Sequence, residues 1–104
     1  MGDFVSQINE LAKKLDALGH PLRLKIIATL TNGEMYLNEI ANTVGVNRAL
    51  AKIHLKKLEK AGIVKSRIVT AQDEAKALRY YELKQFDIHV SPQTLKTEVD
   101  NNGQ

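Results

Sequence analysis

The sequence has no cysteine and no tryptophan, only two prolines, and aromatic residues make up just 5% of its 104 residues. The missing cysteine excludes disulfides, thiolate metal sites and cysteine nucleophiles together. So short a chain has room for one domain and one thin core, so a folded monomer is marginal. No apolar run approaches the roughly 18 residues that a membrane span needs. The N-terminal MGDFVSQINE lacks the basic start and apolar centre of a signal peptide. The expected compartment is therefore the cytoplasm, with no membrane partner. There is also no Gly-rich phosphate loop, no serine with a histidine and an acid in a workable arrangement, and no carboxylate pair in an apolar setting. An enzyme is not expected. The three histidines, His20, His54 and His89, fall in three different elements with no further ligand at metal spacing, so neither metal nor cofactor is expected.

What is present is a segregated charge. The chain is +3 overall with a pI near 9.2, and 43% of its residues are hydrophobic and 26% charged, which is ordinary for a globular domain. Arg48, Lys52, Lys56, Lys57, Lys60, Lys65 and Arg67 lie in one stretch whose only acid is Glu59, so this stretch is +6 and the remainder −3. Such concentration is the footprint of a polyanion-binding surface.

In chain order, Phe4, Ile8, Leu11, Leu15 and Leu18 recur at helical spacing, with Asp3 placed to cap the start and Gly19 to end the helix. Their stripe has two readings: it covers the domain core, or it meets its copy in a second subunit. His20-Pro21 starts a second helix with Leu22, Ile26, Ile27 and Leu30 as its apolar face, stopped by Asn32-Gly33. Met35 to Leu37 read as a short extended link, one small strand. A third helix follows from about Asn38 to Val44. Gly45 then suits a left-handed turn, and Asn47 suits the cap of a fourth helix. Two helices joined by so short a Gly-containing turn form a helix-turn-helix.

At 100° per residue, Ala51, Leu55, Leu58 and Gly62 share a narrow buried arc of the fourth helix. Opposite lie Ala49, Ile53, Lys56 and Lys60, flanked by Lys52 and Lys57. Cations reach phosphates and guanine edges, and Ala and Ile methyls suit the thymine methyl. Arg48 and Lys52 are informative because the helix dipole disfavours cations in the first turns. After Gly62, Ile63 to Thr70 and Leu78 to Leu83 form two period-two runs around a tip, Ala71 to Lys76, and read as a β-hairpin in the position of a wing. Asp73 and Glu74 in the tip repel phosphate, which leaves Arg67, Lys76 and Arg79 as the wing contacts. Phe86, Ile88 and Val90 alternate as an extended segment does, Ser91-Pro92 opens a short helix through Leu95, and residues 97–104 read as a disordered tail behind a domain spanning 1–96.

LGHPLRLKIIATL, LNEIANTVGV, HLKKLEKAGIV and RYYEL, in that order between Leu18 and Leu83, resemble the winged-helix repressors of the ArsR type, especially their small archaeal members. The resemblance implies an α+β winged helix-turn-helix, helices followed by a two-stranded hairpin wing, acting as a dimer on double-stranded DNA through a helix from Arg48 to Ala61. It also implies dimerisation through the first helix and the segment after the wing, which nominates Phe4, Ile8, Leu11, Leu15, Phe86 and Ile88. The paired cysteines and the His and carboxylate ligands of metal-sensing members are missing here. On the residues themselves, Arg48, Lys52 and the residues between them, Ala49 included, are candidates for base contact and Lys56, Arg67 and Arg79 for phosphate, with Asn47, Ile53 and Lys76 as further DNA-binding candidates. A protein-interaction module, suited by exposed Leu50 and Ile53, and a low-specificity chromatin-coating protein are the alternatives.

Overall fold

The computed structural model describes residues 3–70 and 77–102, with side chains over 7–70 and 77–99. Its elements are α1 (Asp3–Leu18), α2 (Pro21–Leu30), β1 (Met35–Tyr36), α3 (Leu37–Val44), α4 (Arg48–Lys60), β2 (Val64–Thr70), β3 (Ala77–Leu83) and α5 (Pro92–Asn102). The helix ends have local causes. His20 caps α2, its Nδ1 accepting the Leu22 N–H at 3.0 Å. The Asn47 side-chain oxygen caps α4 by accepting the Leu50 N–H at 2.8 Å. Between α3 and α4 the backbone turns at Gly45, whose φ of 78° a side chain would disfavour, while the Gly45 and Val46 N–H groups both donate to the Ala41 carbonyl.

The sheet is antiparallel in the order β1-β3-β2, so the two-stranded wing gains a third, two-residue strand at its base. Ser66 faces Tyr81 and Arg67 faces Tyr80 across the hairpin, and Met35 and Tyr36 pair with Tyr81 and Tyr80 from the other side. Ile26, Ile40, Leu55, Leu58, Ile63 and Val64 form the fully buried centre, which α2, α3, α4 and the sheet enclose. Of the buried arc expected for α4, Ala51, Leu55 and Leu58 are buried, with His54 and Ala61 added, while Gly62 is half-buried beyond the helix end.

Two expectations need correction. The α1 stripe does not cover the core: the α1 side chain that reaches it is Ala17, on another face, while Ile8 and Leu11 are only half-buried and Leu15 is 38% exposed. The final helix does not stop near Leu95. Ser91 caps it, its Oγ accepting the Thr94 N–H at 3.1 Å, and it continues to Asn102, so residues 97–102 of the expected tail are helical. This helix packs along α1, and a cleft of about 490 Å³ between them is lined by Leu11, Ile88 and Leu95. The arm so formed gives extents of 58 × 27 × 22 Å and a radius of gyration of 16.7 Å. A compact chain of this length has about 13 Å.

Candidate nucleic-acid interface

The exposed face of α4 carries Arg48, Ala49, Lys52, Ile53, Lys56 and Lys60, with Ile53 64% exposed. Among the described residues, Arg48, Lys52, Lys56 and Lys60 have no carboxylate within ion-pair distance. Lys57 differs. Its ammonium sits 2.7 Å from Asp16 of α1, and that hydrogen bond, with the charge behind it, holds the Asp16 carboxyl below its usual range. The α4 cations thus divide into one that ties the helix to α1 and four that stay available.

One flank of α4 meets the wing. Arg48 and Lys52 share a depression of about 180 Å³ with Leu37, Ile68, Ala77 and Arg79, so three cations from two elements converge, with no carboxylate among the described residues that line it. Arg79 is half-buried, and its Nη1 donates to Ser66 Oγ at 3.0 Å. The other flank meets α1 across a groove of about 720 Å³ lined by Lys13, Ile53, Lys56, Lys57 and Lys60. Sequence reading missed Lys13, because nothing in a linear charge pattern brings the first helix to the fourth.

Arg67 lies elsewhere. Strand residues alternate between faces, and Arg67 is on the side away from buried Tyr81 and α4. Its Nε and Nη2 donate to the two Glu34 carboxylate oxygens at 2.7 Å each, and its guanidinium stands 5.4 Å from the Tyr80 ring centroid. Hydrogen bonding to Arg67 lowers the Glu34 pKa and raises that of Arg67. The structure therefore groups Arg79 with Arg48 and Lys52, and separates Arg67 from them. Lys76 and the acids of the wing tip lie outside the described residues, and Phe4 lies outside those with described side chains.

Behind α4 lies a buried polar joint that sequence reading saw only in part. His20 caps α2, and its ring also lies 4.6 Å from that of His54. Arg23, 8% exposed, donates from Nε to the Ala17 carbonyl at 2.6 Å, from Nη2 to the Asp16 carbonyl at 3.3 Å, and from Nη1 to His54 Nδ1 at 2.9 Å. A guanidinium only donates, so His54 is neutral with its proton on Nε2. Burial first, then the charges of His20 and Arg23, push the His54 pKa below its ordinary value. Among the described residues no group of three or more His, Asp or Glu side chains is arranged to hold a metal ion.

A three-helix core, a capped helix with an unpaired basic face and a hairpin that adds a cation beside it define a winged helix-turn-helix protein. Comparison with known proteins gives the family. Residues 20–66 match the family described as bacterial regulatory protein, arsR family. Over 92 residues, 88% of this chain and 95% of the relative, the sequence is 30% identical to an HTH-type transcriptional regulator of Methanocaldococcus jannaschii. It is 34% identical over 65 residues, 62% of this chain and 57% of the relative, to the biofilm growth-associated repressor of Xylella fastidiosa. Among solved structures, the homodimeric winged helix-turn-helix DNA-binding domain from Mycobacterium bovis superposes with a TM-score of 0.66 at 21% identity, covering 95% of this chain and 81% of that one. The Xylella fastidiosa repressor BigR gives 0.62 at 24% identity, covering 97% and 91%. The chain belongs to the ArsR family, and it is a DNA-binding transcriptional regulator.

Proposed function

We propose that the protein is a sequence-specific repressor that binds double-stranded DNA as a homodimer, with α4 in the major groove and the wing on the neighbouring backbone. The observation that carries this reading is the convergence of Arg48, Lys52 and Arg79 where α4 meets the wing, with no carboxylate among the described residues around them. Arg48, Ala49, Lys52 and Ile53, with the amide NH2 of Asn47, whose oxygen caps α4, face the bases, while Lys56 and Arg79 hold phosphates. Arg67 contributes only once released from Glu34, and Lys76 extends the wing contact. The stripe of Ile8, Leu11 and Leu15 that the core leaves uncovered, with Ile88 beside Leu11 in the cleft, supports dimerisation through the arm; Phe86 packs against the core instead, and Phe4 continues the same periodicity. Repression, rather than activation, is favoured by the Xylella relative. The Methanocaldococcus relative supports the likeness to small archaeal members. The reading needs no cofactor, metal or catalytic residue, and places the protein in the cytoplasm, on a domain of residues 1–96 with the rest of α5 attached.

A dimer of this kind sets its two α4 helices about 34 Å apart, so the operator is an imperfect palindrome. The test is fluorescence anisotropy against the protein's own upstream DNA and a scrambled duplex, each at two salt concentrations. Preference for the native duplex and a steep salt loss for both are expected. Arg48→Ala weakens native binding by about 1 to 3 kcal/mol and narrows the preference. Equal binding to both duplexes would instead identify a chromatin-coating protein. Absence of binding would point to a protein-interaction module, with Leu50 and Ile53, 39% and 64% exposed, as its contacts.

A further inference from the structure

Glu59 is the only acid in the basic segment, and a carboxylate on a DNA-facing helix repels phosphate. Its position has a specific use. Glu59 Oε2 accepts the Ser66 hydroxyl proton at 2.7 Å, and Ser66 Oγ accepts from Arg79 Nη1 at 3.0 Å. A serine hydroxyl has one proton and two lone pairs. With its proton given to Glu59, Ser66 turns a lone pair to Arg79, so the carboxylate sets the direction of the whole chain. Charged groups at both ends strengthen the two bonds. Ser66 stands opposite Tyr81 and Arg79 opposite Ile68, which makes Ser66 and Arg79 diagonal neighbours on the α4 side of the hairpin. Nε and Nη2 of Arg79 have no partner among the described residues, so its remaining donors are free at the corner it shares with Arg48 and Lys52.

We propose that Glu59 and Ser66 are positioning residues for DNA binding, holding the wing's Arg79 guanidinium in place so that it meets, with Arg48 and Lys52, a phosphate of the DNA backbone. The proposal rests on the reading of Arg79 as a DNA contact. An unbraced arginine must lose its rotamer freedom on binding, whereas this one is already ordered, and ordering one such side chain is worth roughly two- to tenfold in affinity. The same chain links the recognition helix to the wing.

A phosphate contact is sequence-independent, so a random-sequence duplex and the full-length protein suffice for an anisotropy titration across salt, with circular dichroism confirming that each variant is folded. Arg79→Ala should weaken binding and reduce the salt slope by about 0.9. Ser66→Ala should weaken it roughly two- to tenfold, and should add nothing in the Arg79→Ala background. Glu59→Ala should weaken binding although it removes a negative charge, and Glu59→Gln, which keeps an acceptor for Ser66, should restore it. Tighter binding by Glu59→Ala is the behaviour of a merely repelling acid and overturns the proposal. So does an unaffected Ser66→Ala when Arg79→Ala is impaired. If Arg79→Ala itself binds like the parent, Arg79 is not a DNA contact, and the proposal fails with that assignment.

Discussion

Between α2, α3, α4 and the sheet, Ile26, Ile40, Leu55, Leu58 and Ile63 are wholly withdrawn from solvent, whereas along the arm Leu15, Leu95 and Val99 keep 38, 37 and 45% of their surface. Both regions are built from amphipathic helices. The difference is the number of neighbours each has: α4 is enclosed by two helices and a sheet, while α1 has chiefly α5 along its outer length. The proposed dimer would cover this open stripe and make an elongated chain more compact. The molecule thus separates a closed half, which carries the basic face of α4, from an open arm, the surface proposed above for a second copy.

The largest effect that sharpens this contrast is in the closed half. Leu55→Ala removes a side chain with no exposed surface and should destabilise the protein by about 2 to 5 kcal/mol. That is a large part of the roughly 5 to 15 kcal/mol typical of a domain, and thermal unfolding will show it. Leu15→Asp in the arm should act differently. Sedimentation should find a monomer, and specific DNA binding should fall for want of the second half-site contact. The parent's Tm should rise with protein concentration, as dimer linkage requires. A Leu15→Asp protein that remains dimeric, or a parent Tm indifferent to concentration, breaks the comparison.

The halves were not equally legible in the sequence. The closed half was readable because its signals are local: His20-Pro21 as a helix start, Asn47 as a cap, Gly45 as the left-handed turn, and Ala51, Leu55 and Leu58 on one arc. The arm was ambiguous because a short apolar stripe looks the same whether it faces a core or a second chain; the burial of Ala17 in its place shows that the stripe does not face the core. The length of α5 was missed because TEVDNNGQ has little apolar periodicity to mark a helix. In the site, α4 followed from charge pattern, but the partners of its neighbours did not. Arg67 and Arg79 look alike in sequence, and it is the strand register that sends one to Glu34 and the other to Ser66.

The joint between the halves gives a smaller, pH-dependent prediction. Arg23 of α2 binds two carbonyls of α1 and the His54 ring of α4, with His20 against that ring and the Asp16–Lys57 pair alongside. His54 takes up a proton less readily in the folded protein than in the unfolded chain. The unfolded chain therefore binds more protons just below the ordinary imidazole pKa of about 6.5, so stability rises with pH there. The joint's contribution should be complete above about pH 6.5 and lost as the pH falls through the lower folded value. His54→Asn keeps an acceptor for Arg23 without a titrating ring, and should flatten the dependence of Tm on pH between about 5 and 7. An unchanged slope in that variant would assign the dependence to other groups.

The smallest expected effect lies on the far face of the wing, where Glu34 holds Arg67 in a two-point hydrogen-bonded pair. Both side chains are at the surface, and solvent screening leaves such pairs little influence on stability. Glu34→Gln should therefore leave Tm nearly unchanged. Its consequence should appear on DNA: a neutral amide holds a guanidinium more weakly, so Arg67 becomes free to swing toward the backbone. Binding to any duplex should tighten slightly and the salt slope should steepen by up to about 0.9, the increment of one phosphate contact. Arg67→Ala in the parent should change little, since that cation is already neutralised. If Arg67→Ala instead weakens binding as much as Arg79→Ala does, Glu34 yields to phosphate in the complex, and the wing's two faces share the DNA contact.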